Sequence, residues 1–195
     1  MNFKKLQAMQ AKLDEAILKE KAPMTAEERF NKTLVALSVE IAEVANTAEH
    51  FKFWKDNKGK VDSKRFLTGA DKTYYDTVKL EKVTFTEAHK LTLVEECSDC
   101  LHFVLSLANQ YQLEITSIKL PDRKQFGIPT LETMYLAVQE CLTNSYFELN
   151  ASLMKNELLP RFFEYFHALG VTDEELEQAY YEKNKVNYER LENGY

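Results

Sequence analysis

The sequence predicts an all-α fold, a single-domain helical bundle spanning residues 1–195. Three observations predict it. With only 5 Gly and 4 Pro among 195 residues, turn formers are too scarce for a chain of many short elements. Helical start signals recur: Thr25-Ala-Glu-Glu28 and Thr172-Asp-Glu-Glu175 read as capping boxes, in which hydroxyl and carboxylate satisfy free first-turn amides. Apolar residues also return at three- and four-residue intervals, as in Leu37, Ile41, Val44, Ala48 and Phe51. A chain of this length buries a substantial core.

Taken in order, these signals place helices at 3–20, 26–56, 86–111, 131–149, 151–168 and 173–192. Thr130, after Pro129, caps the fourth, and Gly170 closes the fifth. The run from Leu101 to Ala108 is too apolar for a surface, so the third helix is expected at the centre. Between Gly59 and Glu87 the periodicity dissolves, and 59–86 reads as a loop or short-helix insertion of the kind that serves as a lid or excursion. Leu113 to Leu120 carries β-branched residues but has no partner strand in the sequence.

Several function classes are disfavoured at once. No apolar run approaches the length of a membrane-spanning helix. Met1 to Leu18 is interspersed with charges and lacks the pattern of a secretory signal. Three cysteines, an odd number, point to reduced thiols and a cytoplasmic protein. A net charge of -6 argues against binding nucleic acid. It leaves small phosphates open, because metal ions reverse the sign of an acidic site.

Two helices carry paired acids. Glu40 and Glu43 lie three apart on the second, in a stripe that continues through Thr47, His50 and Trp54 beside the apolar face. Glu96 and Asp99 repeat the spacing on the third, among apolar residues. A lone pair of this kind is ordinarily a solvated surface feature. Two such pairs on adjacent helices set four carboxylates around one space, and acids in a central helix need cations or metal. Hard oxygen ligands suit Mg²⁺ or Mn²⁺, which keep waters and take further ligands from substrate phosphates.

The tail offers complementary groups. Lys183, Asn187, Arg190 and Gly194 fall on one helical stripe, flanked by Asn184, and such aligned cations and amides hold polyphosphate. A solvated terminal helix is the plain alternative. Cys97 and Cys100 form a CxxC in mid-helix, where packing thiols are expected rather than a redox pair or zinc site. His102 reads as a core histidine, and Phe162-Phe163-Glu-Tyr165-Phe166 as core or dimer packing.

Glu40-x-x-Glu43 followed by Glu96-x-x-Asp99 resembles the metal signature of the MazG-like all-α nucleoside triphosphate pyrophosphatases. Phe51-Lys-Phe-Trp54-Lys55 and Glu95-Glu96-Cys-Ser-Asp99-Cys-Leu-His102-Phe are similar to segments of one branch, the dimeric all-α dUTPases. Lys183-Asn184-x-x-Asn187-x-x-Arg190, followed by Gly194-Tyr195, resembles that family's C-terminal motif, and Met9-Gln10 to Asp14 its base and sugar contacts. Two features depart from the pattern: Leu191 stands where the family has Gln, and the stretch between the acidic pairs is long.

The resemblance implies a homodimer with the all-α pyrophosphatase fold that hydrolyses dUTP, and also dUDP, to dUMP with two or more Mg²⁺. It implies that Glu40, Glu43, Glu96 and Asp99 hold the metal and do the catalysis, with Glu43 as the candidate base for the attacking water. Lys183, Asn184, Asn187 and Arg190 would bind the phosphates, with Gln10, Asp14, Trp54 and Lys55 completing the substrate site. The tail is expected to be mobile until nucleotide orders it as a lid. A pyrophosphatase for another nucleotide such as dCTP, and a noncatalytic partner-binding protein on the same fold, are the alternatives.

Overall fold

The computed structural model describes residues 1–69, 73–123, 127–148 and 151–194. Helix α1 (Phe3–Glu20) starts at Asn2, whose side chain accepts the Lys5 amide. Full capping boxes at Thr25, Thr84 and Thr172 open α2 (Ala26–Ala48), α3 (Phe85–Gln110) and α7 (Asp173–Glu192). Thr130 Oγ1 receives the Thr133 amide at 3.3 Å and begins α4 (Leu131–Glu148). The short α5 (Ala151–Leu153) continues through a π-helical stretch, Met154–Leu158, into α6 (Leu159–Ala168). Gly170 follows α6 with φ +80°, a conformation glycine adopts without steric cost.

Helix α3 is central, as its apolar run requires. It packs chiefly on α2 and α7 and also on α1, while α4 packs against α2 and α6. Cys97, Cys100, Leu101, Val104 and Leu105 have no exposed surface. Burial pushes the Cys97 and Cys100 thiols well above their ordinary pKa, so they pack as small apolar groups. The aromatic run of α6 is likewise core, with Phe162, Tyr165 and Phe166 fully buried. No helix among the described residues is long and apolar enough to cross a membrane.

Two expectations need correction. Helix α2 ends at Ala48 rather than running to 56, because Glu49 adopts a left-handed backbone, φ 54°. Its carboxylate turns inward, 2% exposed, to meet Lys52 at 2.8 Å, Lys55, and the Gly59 amide at 3.0 Å. These local partners replace the next helical turn, and Phe51 to Trp54 therefore leave the stripe.

The second correction concerns 59–86, which forms an antiparallel meander instead of a loop or short helix. Strands β1 (Phe66–Thr68), β2 (Tyr74–Asp76) and β3 (Glu81–Val83) pair in sequence order, with Tyr75 facing Leu67 on one side and Lys82 on the other. Each strand is three residues long. What fixes them is a fully buried Asp76, which accepts the Val78 amide and a two-point contact from Arg65. The chain reaches this meander past α3 at Gly59, φ +104°, where a Cβ would come within 2.9 Å of the His89 ring.

Candidate active site

Glu40 on α2 and Glu96 and Asp99 on α3 each place a carboxylate oxygen within 4.8 Å of the other two. A three-residue step turns a helix position by about 60°, close enough to share a face and far enough to split inward from outward. Glu96 and Asp99 use that step to converge. Glu43 uses it to reach the exposed shoulder, where its contact is with the Asn46 amide at 3.4 Å.

The cluster is electrostatically frustrated. Burial, followed by Asp99, Glu40, Glu43 and Glu95, raises the Glu96 carboxyl to about 7. Glu40 is raised by burial and by Asp99; Asp99 is raised by burial, against the opposing pull of Lys183. Lys183 answers from α7, its Nζ 2.8 Å from Asp99 Oδ2 and 3.3 Å from Glu95 Oε1. Burial opposes its charge, but Asp99 and Glu95 hold its pKa above the ordinary value. An all-oxygen donor set, crowded and short of cations, fits a hard divalent ion.

A cleft of about 630 Å³ opens beside the cluster between α1, α2, α3 and α7. Glu40, Asp99, Lys183, Asn187 and Arg190 line it together with Gln10, Asp14, Arg29 and His102, and Leu13, Phe103 and Leu191 are among its apolar walls. Leu191, where the family pattern has Gln, thus contributes apolar surface to the cleft.

Gln10 and Asp14 are held by internal hydrogen bonds. Gln10 Nε2 donates to Asp14 Oδ1 at 2.7 Å, while Gln10 Oε1 meets the Tyr180 hydroxyl at 3.0 Å and His102 Nδ1 at 2.8 Å. Asp14 also accepts from Arg29 at 2.8 Å and Ser106 at 2.7 Å. Burial drives His102 down to about 3, so its ring is neutral and Nδ1 is the donor to Gln10. The ring stacks on Tyr180 with centroids 4.1 Å apart, and its Nε2 is buried without a hydrogen-bond partner.

Most of the candidate residues predicted from sequence therefore converge: Glu40, Glu96, Asp99, Lys183, Asn187, Arg190, Gln10 and Asp14. Asn184 is buried, 6% exposed, beneath that surface rather than on it. Trp54 is 66% exposed against Phe53 and Phe51, and Lys55 pairs with Glu49; neither lines the cleft. Through residue 192 the tail is helical; Leu176, Tyr180 and Asn184 bury the earlier part of α7, while residues 185–192 are exposed or half-buried. Tyr195 lies outside the described residues. Sequence reasoning missed Arg29, Glu95 and Arg65, whose partners are 15 or more positions away or lie in the meander.

An all-α protein with crowded carboxylates beside a stripe of Lys, Asn and Arg carries donor sets of the kind that suit a hard cation and an anion. The family model described as dUTPase matches residues 2–69 and 82–195, and the chain belongs to this family, the all-α dUTPases. It is accordingly a dUTP-hydrolysing enzyme, and dUTPases are in general dependent on divalent metal. No curated protein matches the chain.

Proposed function

We propose that this single-domain protein is a cytoplasmic, homodimeric, Mg²⁺-dependent enzyme that converts dUTP, and dUDP as a second substrate, to dUMP. One observation carries the reading: Glu40 and Asp99, two of three carboxylates within 4.8 Å of one another, share a cleft with Lys183, Asn187 and Arg190. Glu40, Glu96 and Asp99, joined by Glu43 from the shoulder, would hold two or more Mg²⁺. Bound there, the metal supplies charge neutralisation for phosphate oxygens and an acidified water.

The chain's own residues supply the rest. Glu43, exposed at the rim, orients or deprotonates the water. Lys183 exchanges Asp99 for phosphate, and Arg190 and Asn187 add donors for charge that develops as the bond to phosphorus breaks. Asn184 supports that surface of α7 from below. Gln10 and Asp14, already fixed by Arg29, Ser106 and Tyr180, present a rigid edge to the nucleoside. Support for the dimer comes from Val35 and Val39 on α2 and Leu136 on α4, which are 64%, 54% and 63% exposed. Three free, buried cysteines accord with a reducing compartment.

A panel of deoxynucleoside triphosphates, assayed with and without Mg²⁺ for pyrophosphate release, tests the reading. The expected result is hydrolysis of dUTP well above dCTP, abolished by chelation. Equal turnover of dCTP and dUTP, or turnover indifferent to chelator, overturns it.

A further inference from the structure

We propose that Arg65 is a positioning residue for Lys183, acting through Glu95, and that the β meander holds Arg65 in place for this. The inference rests on the reading of the carboxylate cluster as a metal and phosphate site. It starts from an unbroken chain of alternating charges. Arg65 Nη2 and Nε lie 2.9 and 3.2 Å from the two oxygens of Asp76, which is fully buried. The remaining nitrogen, Nη1, is 3.5 Å from Glu95 Oε2. The other oxygen of Glu95 is 3.3 Å from Lys183 Nζ, itself 2.8 Å from Asp99.

Asp76 lies within 70–81, the segment that the dUTPase family model does not match. The anchor of this charge chain therefore lies outside the matched framework. A guanidinium with two nitrogens fixed on a buried acid has little rotational freedom left, and so presents its third at a set position. Side-chain exposures of 15% for Arg65 and 13% for Lys183 keep both ends partly shielded from water.

The consequence is electrostatic. Arg65 compensates Glu95, which then holds Lys183 only weakly and leaves the ammonium over the cluster, ready for phosphate. Without Arg65, an uncompensated Glu95 would draw Lys183 aside and add negative charge near the cluster. A bare divalent cation should then bind more tightly, and a polyphosphate less tightly. Disruption of the meander alone would weaken both. The two affinities moving in opposite directions therefore distinguish positioning from a merely structural role.

The test measures Mn²⁺ binding alone by electron paramagnetic resonance, and binding of a nonhydrolysable dUTP analogue with Mg²⁺ by calorimetry. For Arg65→Gln, Mn²⁺ affinity should rise about threefold while analogue affinity falls about tenfold, the size expected of one partly shielded charge. Adding Glu95→Gln to that variant should return both to within about twofold of wild type. Glu95→Gln alone, at a residue exposed enough to leave the fold intact, should weaken Mn²⁺ about twofold. Parallel weakening of both ligands in Arg65→Gln, or no rescue by the second substitution, overturns the proposal. Unchanged Mn²⁺ affinity in both single variants, with Mn²⁺ bound normally by wild type, sinks this inference and leaves the metal site standing. Failure of the wild-type protein to bind Mn²⁺ removes the metal site and the inference together.

Discussion

Two acidic regions that both involve α2 behave in opposite ways. At the end of α2, burial would raise Glu49, yet Lys52 and Lys55 bring its carboxyl down to about 2. In the cluster, burial raises Glu96, and Asp99, Glu40, Glu43 and Glu95 push it further, to about 7. Glu49 has its counter-ions and a backbone amide within the same short turn. The cluster has chiefly Lys183, which is shared with Glu95. A buried charge with its own partners sets the course of the backbone. Buried charges that face one another hold a potential for cations from outside. Burial alone does not separate these roles; the company each acid keeps does.

The contrast breaks most sharply in the cluster. Glu96→Gln or Asp99→Asn should lower kcat/KM for dUTP at least about a thousandfold, because a metal-holding charge is lost at nearly constant volume. The same variants should melt no lower than wild type in chelator, since like-charge repulsion is relieved. Near-normal turnover with unchanged circular dichroism would place the chemistry elsewhere. Next in size is Glu49→Gln, which leaves two lysines without their acid. A loss of about 2 kcal/mol is expected, less than for a fully enclosed pair because Lys52 and Lys55 are partly exposed. That corresponds to a melting temperature lower by about 6 °C. Mn²⁺ affinity should stay within about twofold of wild type; a large change would merge the two regions into one functional unit.

The smallest effect is in pH dependence. Glu96 rises from an ordinary 4.5 to about 7 on folding, so the folded protein holds a proton that the unfolded chain has released. Its contribution to stability is complete below about 4.5 and is lost as pH climbs through about 7. Glu49 has the opposite sign: its contribution is present above about 4.5 and disappears as pH falls toward about 2. Melting scans in chelator should therefore show Tm about 3 °C lower at pH 8 than at pH 6. Mg²⁺, or the Glu96→Gln substitution, should flatten that difference. A Tm that rises with pH across this window in chelator would reverse the assignment.

What the sequence made legible was mostly what local rules govern. Capping boxes at Thr25 and Thr172 located the starts of α2 and α7, and the apolar run after Leu101 placed α3 at the centre. Spacing brought Glu40, Glu96 and Asp99 together, because convergence needs only helical periodicity on two packed helices. The failures occur where distant partners decide. Glu49 continues a helical pattern, and only its lysines and Gly59, met after the turn is made, pull it into a left-handed conformation. The meander has strands too short for a two-residue period to register, and it depends on Arg65 and Asp76 meeting across eleven positions. Glu95 sits beside a residue with an obvious role, while its own partners come from the meander and from α7. Trp54 followed the stripe of α2 on paper and left it with the helix.

The π-helical stretch from Met154 to Leu158 has a bearing on how this gene tolerates change. A π-turn accommodates one residue more than the α-turn it replaces while the helix on either side stays in phase. Removing a single codon there would let the segment relax to an α-helix with the following residues facing as before. The same deletion a few codons later, within α6, would swing Phe162, Tyr165 and Phe166 about 100° around the axis and out of the core they fill. The aromatic half of the core thus carries its own slack, confined to five residues at its entrance.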